Sequence, residues 1–420
     1  MKSLYRYGIA AVLCFLFVSP SSAQETRASS AVLRLDEAVA RALARAPERR
    51  KQEAIMARRQ ASRIAAGTLP NPTVAWVIEE LRLGDGKYSE WTASAELPLG
   101  AFLLRGARLA AADLGVQAAA AEMERATDAL VLDVRLRYVD VWHARVLQRA
   151  LEETEPRILA MQQTIDERAR EGDISVYERK RLQGELATVR WRRSTAAQEY
   201  RTARDALAGL LRLPTDSLDR LELRPPRLDS VSLDITALER LAKAERADLE
   251  ALRTSRDALS EENAWRRWAW LADIRVGGGY KRQSDAFAGP LLTISAPLPL
   301  FDRDQATVHA NEAQRGELQA ELAALELSAE MEIRNTAVSF QQLREQLAAF
   351  PVPERDERAG LLATATEAYR EGEFSLVEYL DAVTAHVDGA ELAASLLGAT
   401  LKAAFRLEHA VGRDIFTIQY

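Results

Sequence analysis

Two carboxylates, Glu378 and Asp381, lie three residues apart in a segment with a helical pattern. Residues at this spacing share one face of a helix, so both side chains point the same way and together can attract cations. The corresponding positions in the first half of the chain hold Glu178 and Arg181, which are not an acidic pair. On pattern alone, Glu378 and Asp381 form either a cation-attracting site or a solvated helix end.

No constellation of residues predicts catalysis, so we expect no enzyme activity, no cofactor and no resident metal. The glycine run 277–279 precedes a tyrosine in a strand pattern, whereas a phosphate-binding loop leads into a helix. The histidines are too scattered to have the spacing of metal ligands. They are His143, His309, His386 and His409.

The amino terminus has the pattern of a secretory signal peptide. Lys2 and Arg6 precede an apolar run over residues 8–18, and small residues follow as far as Ala23. We therefore expect residues 1–23 to be removed on secretion. The single cysteine, Cys14, lies inside the apolar run, so the mature chain is predicted to lack a thiol. Burial or assembly must then stabilise the fold without disulfides.

The charge of the chain argues against one class of partner. It contains 56 basic and 62 acidic residues, a formal net charge of −6. Nucleic-acid-binding proteins usually carry a basic face, so we expect no nucleic acid partner. No stretch of about twenty apolar residues follows the signal peptide, which argues against a helical membrane anchor.

The chain repeats itself with a period of about 200 residues, as a duplicated structural unit does. Residues 92–99 (TASAELPL) return as residues 293–300 (TISAPLPL), and residues 171–175 (EGDIS) return as residues 371–375 (EGEFS). We predict a first structural repeat over residues 24–230 and a second over residues 231–420.

Each repeat is predicted to contain a first helix, a β-hairpin and a long helical hairpin. In the first repeat, the first helix runs from Asp36 to Ala66 and ends at a cluster of glycine and prolines. Strands are predicted at residues 73–80 and 90–99, and again at 272–280 and 290–298. Apolar residues at gaps of three and four then predict long helices that reverse at Gly172 and Gly372. Kinks are expected at Pro156, Pro351 and Pro353.

The strands present one apolar and one polar face over about nine residues, as in the wall of a membrane barrel. An ordinary half-buried antiparallel sheet would show the same alternation. Four strands are too few to close a barrel, whose smallest common form has about eight. A membrane role therefore requires several chains to share one barrel.

These features resemble the outer membrane factors, the TolC-like export ducts of Gram-negative bacteria. The resemblance rests on the signal peptide, the duplicated plan, the strand-to-helix junctions at residues 97–100 and 298–303, and the two glycine turns. Within the family, residues 67–72 (GTLPNP), followed by Glu79 and Glu80, are most similar to the CzcC-like branch, which serves divalent-metal efflux.

The resemblance implies a fold that is mainly α with a small membrane β part. In a homotrimer, each chain would give four strands to a twelve-stranded β-barrel and its helices to a periplasmic α-helical barrel. The protein would lie in the cell outer membrane, in contact with its lipid, with a large periplasmic portion. It would be a passive export duct, opened by a periplasmic adaptor and an inner membrane RND-type transporter, with divalent metal cations as its cargo.

The resemblance also implies roles for particular residues. Glu378 and Asp381 correspond to the acidic pore constriction of the family, where threefold symmetry would give a ring of six carboxylates. The two helical tips would dock the adaptor. Their residues are Gly172, Asp173, Ile174 and Ser175 in the first repeat, and Gly372, Glu373, Phe374 and Ser375 in the second.

Tryptophans near the strands predict an interfacial belt, because aromatic residues concentrate at the edges of a bilayer. They are Trp91, Trp265, Trp268 and Trp270. The last three are equally consistent with core residues where helix meets sheet.

Two alternative functions remain compatible with the sequence. One is a duct of the same fold that exports drugs or solvents. The other is a periplasmic coiled-coil protein, structural or adaptor-like, without a pore. The presence of two helical hairpins and four amphipathic strands favours the duct.

Overall fold

The computed structural model describes residues 31–171, 174–229, 233–349 and 355–419. The predicted signal peptide and the predicted boundary between the repeats, at residues 230 and 231, lie outside the described residues. None of the helices in these ranges has the length and the apolar character that a bilayer-spanning helix needs.

The first half of the chain has two short helices, a β-hairpin, two long helices and a small group of short elements. In chain order these are β1 (Ala31–Leu33), α1 (Leu35–Arg45), α2 (Pro47–Gly67), β2 (Thr73–Leu83), β3 (Gly86–Pro98), α3 (Gly100–Glu171), α4 (Val176–Leu211), α5 (Thr215–Asp219), β4 (Leu221–Leu223) and β5 (Arg227–Leu228).

The second half follows the same order. Its elements are α6 (Ile235–Glu245), α7 (Ala247–Arg266), a short 3₁₀ helix (Ala269–Asp273), β6 (Arg275–Gln283), β7 (Ala288–Ser295), α8 (Gln305–Ala349), α9 (Arg355–Glu371), α10 (Leu376–Val411) and β8 (Ile418–Gln419). The helices α4 and α10 each contain 36 residues and begin at equivalent places after the two tips.

The prediction of a single first helix from Asp36 to Ala66 is wrong. Ala46 has an extended conformation, with φ −64° and ψ 122°, and separates α1 from α2. The cause is Pro47, whose ring disfavours the helical conformation in the residue before it. The second half breaks at the equivalent residue, Arg246, with φ −67° and ψ 120°, although alanine follows it there.

Both β-hairpins form, with boundaries that differ from the predicted ones. The first is longer than predicted, since β2 continues to Leu83 and β3 begins at Gly86. In the second hairpin, β6 begins three residues late because the 3₁₀ helix takes up the preceding segment. β7 ends at Ser295, just before prolines 297 and 299, which cannot donate to a strand ladder.

The four long strands form one antiparallel sheet in the order β2-β3-β6-β7. The register pairs Trp76 with Ala93, Ala93 with Tyr280 and Tyr280 with Pro290, so these residues lie on one face. That face is apolar and uncovered in the single chain, with Val74 79% exposed and Trp76 64% exposed. Both β2 and β7 have one unpaired edge within the described residues.

The helices lie side by side around α3. On the sheet side, α3 packs against α2 and α7, and α7 packs against α8. Toward the tips, α3 packs against α4 and α10, and α10 packs against α9. α3 contains 72 residues, which corresponds to about 108 Å of helix. It continues through Pro156 without interruption.

The short strands form two small paired groups near the middle of the helices. β1 pairs with β4, and β5 pairs with β8. The buried Tyr138 of α3 anchors the first pair, because its hydroxyl donates to the carbonyl oxygen of Leu33 at 2.6 Å and accepts from the backbone N–H of Arg224 at 3.1 Å. The main hydrophobic cluster surrounds this tyrosine.

Candidate functional site

The second tip reverses the chain through a glycine. Gly372 has φ +82°, a left-handed conformation that glycine adopts without a steric cost. The N–H of Glu373 donates to the carbonyl oxygen of Ala368 at 2.8 Å, which closes the end of α9. In the first tip, Gly172 and Asp173 lie outside the described residues.

Both return helices begin with the same capping box. The N–H of Glu178 donates to the hydroxyl oxygen of Ser175 at 3.2 Å, and the N–H of Ser175 donates to the carboxylate of Glu178 at 2.9 Å. Ser375 and Glu378 repeat this arrangement at 3.3 and 2.7 Å. The serines at the tips therefore have a local role, which is to satisfy the free N–H groups of a helix start.

The predicted acidic pair is exposed on α10, but its two members have different surroundings. Hydrogen bonds from the backbone N–H and the hydroxyl of Ser375 lower the pKa of the Glu378 carboxyl. Asp381 forms no hydrogen bond or ion pair with the residues that the structure describes, and it stays exposed one turn further along. Only Asp381 is thus available in full to a cation. The S-x-x-E spacing at both tips could have revealed the cap from the sequence.

The two helical hairpins touch near their tips. A guanidinium nitrogen of Arg168, on α3, donates to the carbonyl oxygen of Arg370, on α9, at 2.7 Å. The same guanidinium lies 5.6 Å from the centre of the Tyr369 ring, which packs against Tyr379 at 5.8 Å. Sequence reasoning did not find the contacts of Arg168, because they join residues about 200 positions apart. Ile174 packs against the same apolar cluster.

The four predicted belt tryptophans do not lie at one level. Trp91 stacks on Trp76 with ring centres 5.0 Å apart, within the apolar face of the sheet. The other three lie at the junction of α7 and the sheet, where the Trp265 ring lies 4.9 Å below the Arg266 guanidinium. Trp91 pairs with Arg282, which lies seven residues along β6 from the first residue of that strand, Arg275. Seven residues of a strand span about 23 Å.

The opposite face of the sheet is polar and closely packed. The carboxylate of Glu90 accepts from Lys281 at 2.8 Å and from Gln283 at 2.9 Å. A Cβ atom at Gly277 would come within 2.6 Å of the Glu96 side chain, and one at Gly279 within 2.4 Å of a β3 carbonyl oxygen. The glycine run therefore permits close approach of β3 and β6 on this face.

The helices on the sheet side of the chain surround an open concave surface. A cavity of about 1200 Å³ is lined by α2, α3, α7 and α8. Alanines and charged side chains of both signs form its wall. The charged side chains include Arg59, Arg108, Asp248, Glu262, Arg266 and Glu321. Such a surface can line a water-filled passage, but it has no converging set of catalytic groups.

The histidines are dispersed through the structure. Within the described ranges, no group of three or more His, Cys, Asp or Glu side chains is arranged to hold a metal. Burial lowers the pKa of His143, whose Nε2 lies 3.1 Å from the hydroxyl of Ser395. Burial also lowers the pKa of His409.

Comparison with known proteins finds relatives in sequence and in fold. No protein-family model matches the chain. It is 25% identical over 365 residues to the cobalt-zinc-cadmium resistance protein CzcC of Cupriavidus metallidurans. The matched region covers 83% of this chain and 82% of that protein.

Solved structures share the fold over most of their length. The outer membrane protein VceC of Vibrio cholerae matches with a TM-score of 0.68 and 17% identity, over 90% of this chain and 96% of that one. The outer membrane channel CmeC of Campylobacter jejuni matches with a TM-score of 0.69 and 16% identity, over 90% and 85%. The transmembrane channel CusC matches with a TM-score of 0.66 and 17% identity, over 90% and 92%. The mainly α fold and the resemblance indicated by the sequence are confirmed.

Proposed function

We propose that this chain, an outer membrane factor of TolC-like fold in the cell outer membrane with a large periplasmic portion, forms the export duct of a tripartite efflux pump. Three copies would assemble into a passive conduit. The observation that carries the proposal is a four-stranded sheet with an exposed apolar face and two unpaired edges, joined to a helical layer with a concave surface of alanines and charged side chains.

The sheet needs other copies of itself in order to enter a bilayer. Unpaired backbone groups at a strand edge have no water to bond in hydrocarbon, so only a closed barrel is stable there. Three copies of a four-stranded sheet give twelve strands, which lies within the range of known membrane barrels. The apolar face, with Val74, Trp76 and Ile78, would then contact lipid.

The tryptophans support two aromatic girdles in place of one belt. Trp91, which stacks on Trp76, lies about 23 Å along β6 from the start of that strand, next to the group at residues 265–270. Aromatic girdles flank the apolar band of a membrane barrel at both interfaces, and that band is about 25 Å tall. Trp265, Trp268 and Trp270 would mark the periplasmic interface.

The helical tips are the proposed docking site for the adaptor, through which an inner membrane RND-type transporter would be coupled. The tips lie at the far end of a helix of about 108 Å from the sheet. Phe374 is partly exposed there, whereas Ile174 is half-buried against the apolar core of the hairpins. The capping boxes hold Ser175 and Ser375 in fixed positions at the two helix starts.

Divalent metal cations are the proposed cargo. The name of the relative CzcC links that protein to cobalt, zinc and cadmium resistance. An exposed Asp381 from each of three copies would place a ring of negative charge near the tips, which favours cations over anions. Export of drugs by the same fold is the competing proposal.

The test is conductance of the purified mature protein in planar bilayers, with and without millimolar divalent cations on the periplasmic side. We expect small, cation-selective channels that divalent cations block. Absence of insertion from a folded preparation would contradict the duct and favour a periplasmic coiled-coil protein. Deletion of the gene should lower tolerance to zinc, cobalt or cadmium; lower tolerance to a drug panel alone would contradict the metal cargo.

Asp381→Asn provides a sharper version of the test. We expect the concentration of divalent cation needed for half block to rise about tenfold, corresponding to about 1.4 kcal/mol of lost cation binding. Glu178→Gln is the matched control, because Glu178 holds the equivalent cap in the repeat without an acidic pair. Equal block in the wild type, the variant and the control would remove Asp381 from the constriction.

A further inference from the structure

The end of the sheet that lies farthest from the helices, called here the outer end, has basic side chains on its apolar face. The strand register places Arg82 directly opposite Lys87 across β2 and β3. It places Arg282 of β6 opposite Trp91. Because side chains alternate between the two faces of a strand, all three basic residues share the face of Trp76. They interrupt the apolar surface only at its outer end.

These three basic side chains are exposed and have no counter-ion within the residues that the structure describes. Arg82 and Lys87 place like charges directly across the strand ladder, which is a destabilising arrangement. Glu80 lies on the same face, opposite Ser89, so three basic and one acidic side chain leave a formal charge of +2. An anion bound from outside the chain would relieve the repulsion between Arg82 and Lys87.

Basic side chains at neighbouring places are neutralised by the chain itself. On the opposite face of the outer end, Lys281 binds the carboxylate of Glu90 at 2.8 Å. Where the helices meet the sheet, Arg266 donates to Asp304 at 2.9 Å. The absence of such a partner on the apolar face of the outer end, among the described residues, is therefore specific to that place.

Aromatic side chains mark the level of the bilayer at which the basic residues lie. Trp91 stacks on Trp76 with ring centres 5.0 Å apart and lies 6.1 Å from the ring of Tyr280. Such aromatic groups concentrate at the boundary between hydrocarbon and headgroups. Lys87 lies four residues beyond Trp91 on β3, which is about 13 Å along the strand and about 10 Å along the membrane normal at a strand tilt of about 40°.

The basic side chains are thus within reach of lipid headgroups. The headgroup region is about 5–8 Å thick on each side of a bilayer, and a lysine side chain bends back toward it. Arg282 lies at the level of Trp91, at the inner boundary of this region, and Lys87 lies near its outer boundary.

The chemistry of the three side chains fits phosphate. A guanidinium presents a planar fork of donors that matches phosphate oxygens, and an ammonium adds a compact charge. Arg82 and Lys87 are about 5 Å apart at their Cα atoms, whereas Arg282 is about 14 Å from Lys87, four residues along and one strand across. This spread exceeds one phosphate group and suits a molecule with at least two.

We infer that the outer end of the sheet binds a lipid with two or more phosphate groups. Its phosphates lie on Arg82, Lys87 and Arg282, and its acyl chains lie along the apolar face past Trp76 and Tyr280. A soluble anion would make no use of that apolar face. The inference rests on the proposed function for the position of the sheet in a bilayer, and it goes further because a duct requires no particular headgroup.

Native mass spectrometry of the purified mature protein in detergent tests the inference. The probe is lipid A, a disaccharide lipid with two phosphate groups, and the reference is the same lipid after removal of both phosphates. We expect lipid A to bind at least about tenfold more tightly than the reference, because several basic side chains attract its phosphates. Arg82→Gln with Lys87→Gln and Arg282→Gln should abolish this preference.

The matched control is Arg220→Gln with Arg227→Gln and Arg275→Gln, at three exposed sites that lie off this face. It removes the same charge and should keep the preference for lipid A. Light scattering shows whether each variant assembles as the wild type does. If the first variant does not assemble, Arg82→Lys with Arg282→Lys keeps the charge without the guanidinium forks. It should bind lipid A about threefold more weakly and the reference lipid equally well.

Three results would overturn the inference. They are equal binding of the two lipids by the wild type, a preference for lipid A that survives the three glutamine substitutions, and loss of all lipid binding to millimolar inorganic phosphate at constant ionic strength. The last would identify a site for free phosphate. A protein that conducts in planar bilayers without preferring lipid A would leave the duct intact. A preference for lipid A without conductance would refute the duct and keep the lipid site.

Discussion

The two halves of the chain make the same break in their first helices by different physical means. In the first half, Pro47 imposes the extended conformation of Ala46 through local sterics. In the second half, alanine replaces the proline, and Arg246 is held by contacts with the nearby Asp248 and with two distant helices. Its guanidinium donates to Asp248 at 2.8 Å, to Glu332 at 3.1 Å and to the carbonyl oxygen of Ala410 at 2.9 Å.

The difference shows how a duplicated unit can keep a geometry while changing its cause. The first break is favoured by the local sterics of two neighbouring residues, Ala46 and Pro47. The second requires α8 and α10 to be in place, because Glu332 and Ala410 belong to them. Arg246 is only 9% exposed, so its charge depends on these partners.

Arg246→Met is expected to have the largest effect on stability of the substitutions at the two breaks. It leaves Asp248, Glu332 and the Ala410 carbonyl without their shared donor, so we expect a loss of about 3 kcal/mol in the free energy of unfolding. The measurement is the denaturation midpoint in detergent. Arg45→Met is the matched control before the first break, where an exposed guanidinium donates to one carbonyl oxygen. A loss as small as that of the control would show that the second break, like the first, is determined by neighbouring residues in the chain.

Asp128, on α3, is near Asp248 at the second break and carries a pH dependence of its own. Burial, with Glu124, Asp414 and Asp248 nearby, raises the pKa of Asp128 to about 6 from its ordinary 3.8, against the opposing effect of Arg135. The folded state then holds a proton that the unfolded state releases. The contribution of this group to stability is present below about pH 4 and is lost as pH rises through about 6.

Asp128→Asn should remove that slope and stabilise the protein at pH 7. Because Asp128 is partly exposed and solvent screens its charge, we expect a gain of about 1 kcal/mol. Denaturation midpoints at pH 4, 5, 6 and 7 give the profile. Asp133→Asn, at an exposed ion pair with Arg137, should keep the wild-type slope. A profile of stability against pH for Asp128→Asn that runs parallel to the wild-type profile would contradict the raised pKa of Asp128.

Exchange of the residues that follow the two breaks, Pro47 and Ala247, is expected to have the smallest effect on stability. Ala247→Pro gives the second half the residue of the first, at the first position of α7, where proline fits. We expect stabilisation of about 0.5 kcal/mol, since proline restricts the unfolded chain. Pro47→Ala should destabilise by a similar amount. Midpoint shifts of the same sign for both exchanges would show that the two breaks are not equivalent.

The sequence predicted those features that local pattern determines. The repeat, the order of elements, the hairpins and the long helices all follow from periodicity and from glycine and proline positions. The start of the second hairpin was misplaced because apolar residues 269–272 suit a strand and a 3₁₀ helix equally. The break at Arg246 could not be found, because two of its partners, Glu332 and the Ala410 carbonyl oxygen, lie far away in the chain. The first break was within reach, since Pro47 stands inside the predicted helix.

The candidate site also has some features that local sequence pattern predicts and others that it does not. The reversal at Gly372 could be predicted because glycine adopts its left-handed conformation easily. The contact of Arg168 with Arg370 and the position of Trp91 relative to the other tryptophans depend on packing and register. Glu378 matched an acidic pattern, but the capping box with Ser375 gives its carboxylate a second, local role.

The equal length of α4 and α10 has a consequence for how such chains can evolve. Each helix has 36 residues between a capping box and a left-handed cap. One inserted residue in a single hairpin would raise its tip by about 1.5 Å and turn its buried face by about 100°. Insertions of seven residues restore the face to within about 20°. Changes in the length of the helical hairpins should therefore arise in both hairpins together, in multiples of seven residues, and single-residue insertions should be eliminated.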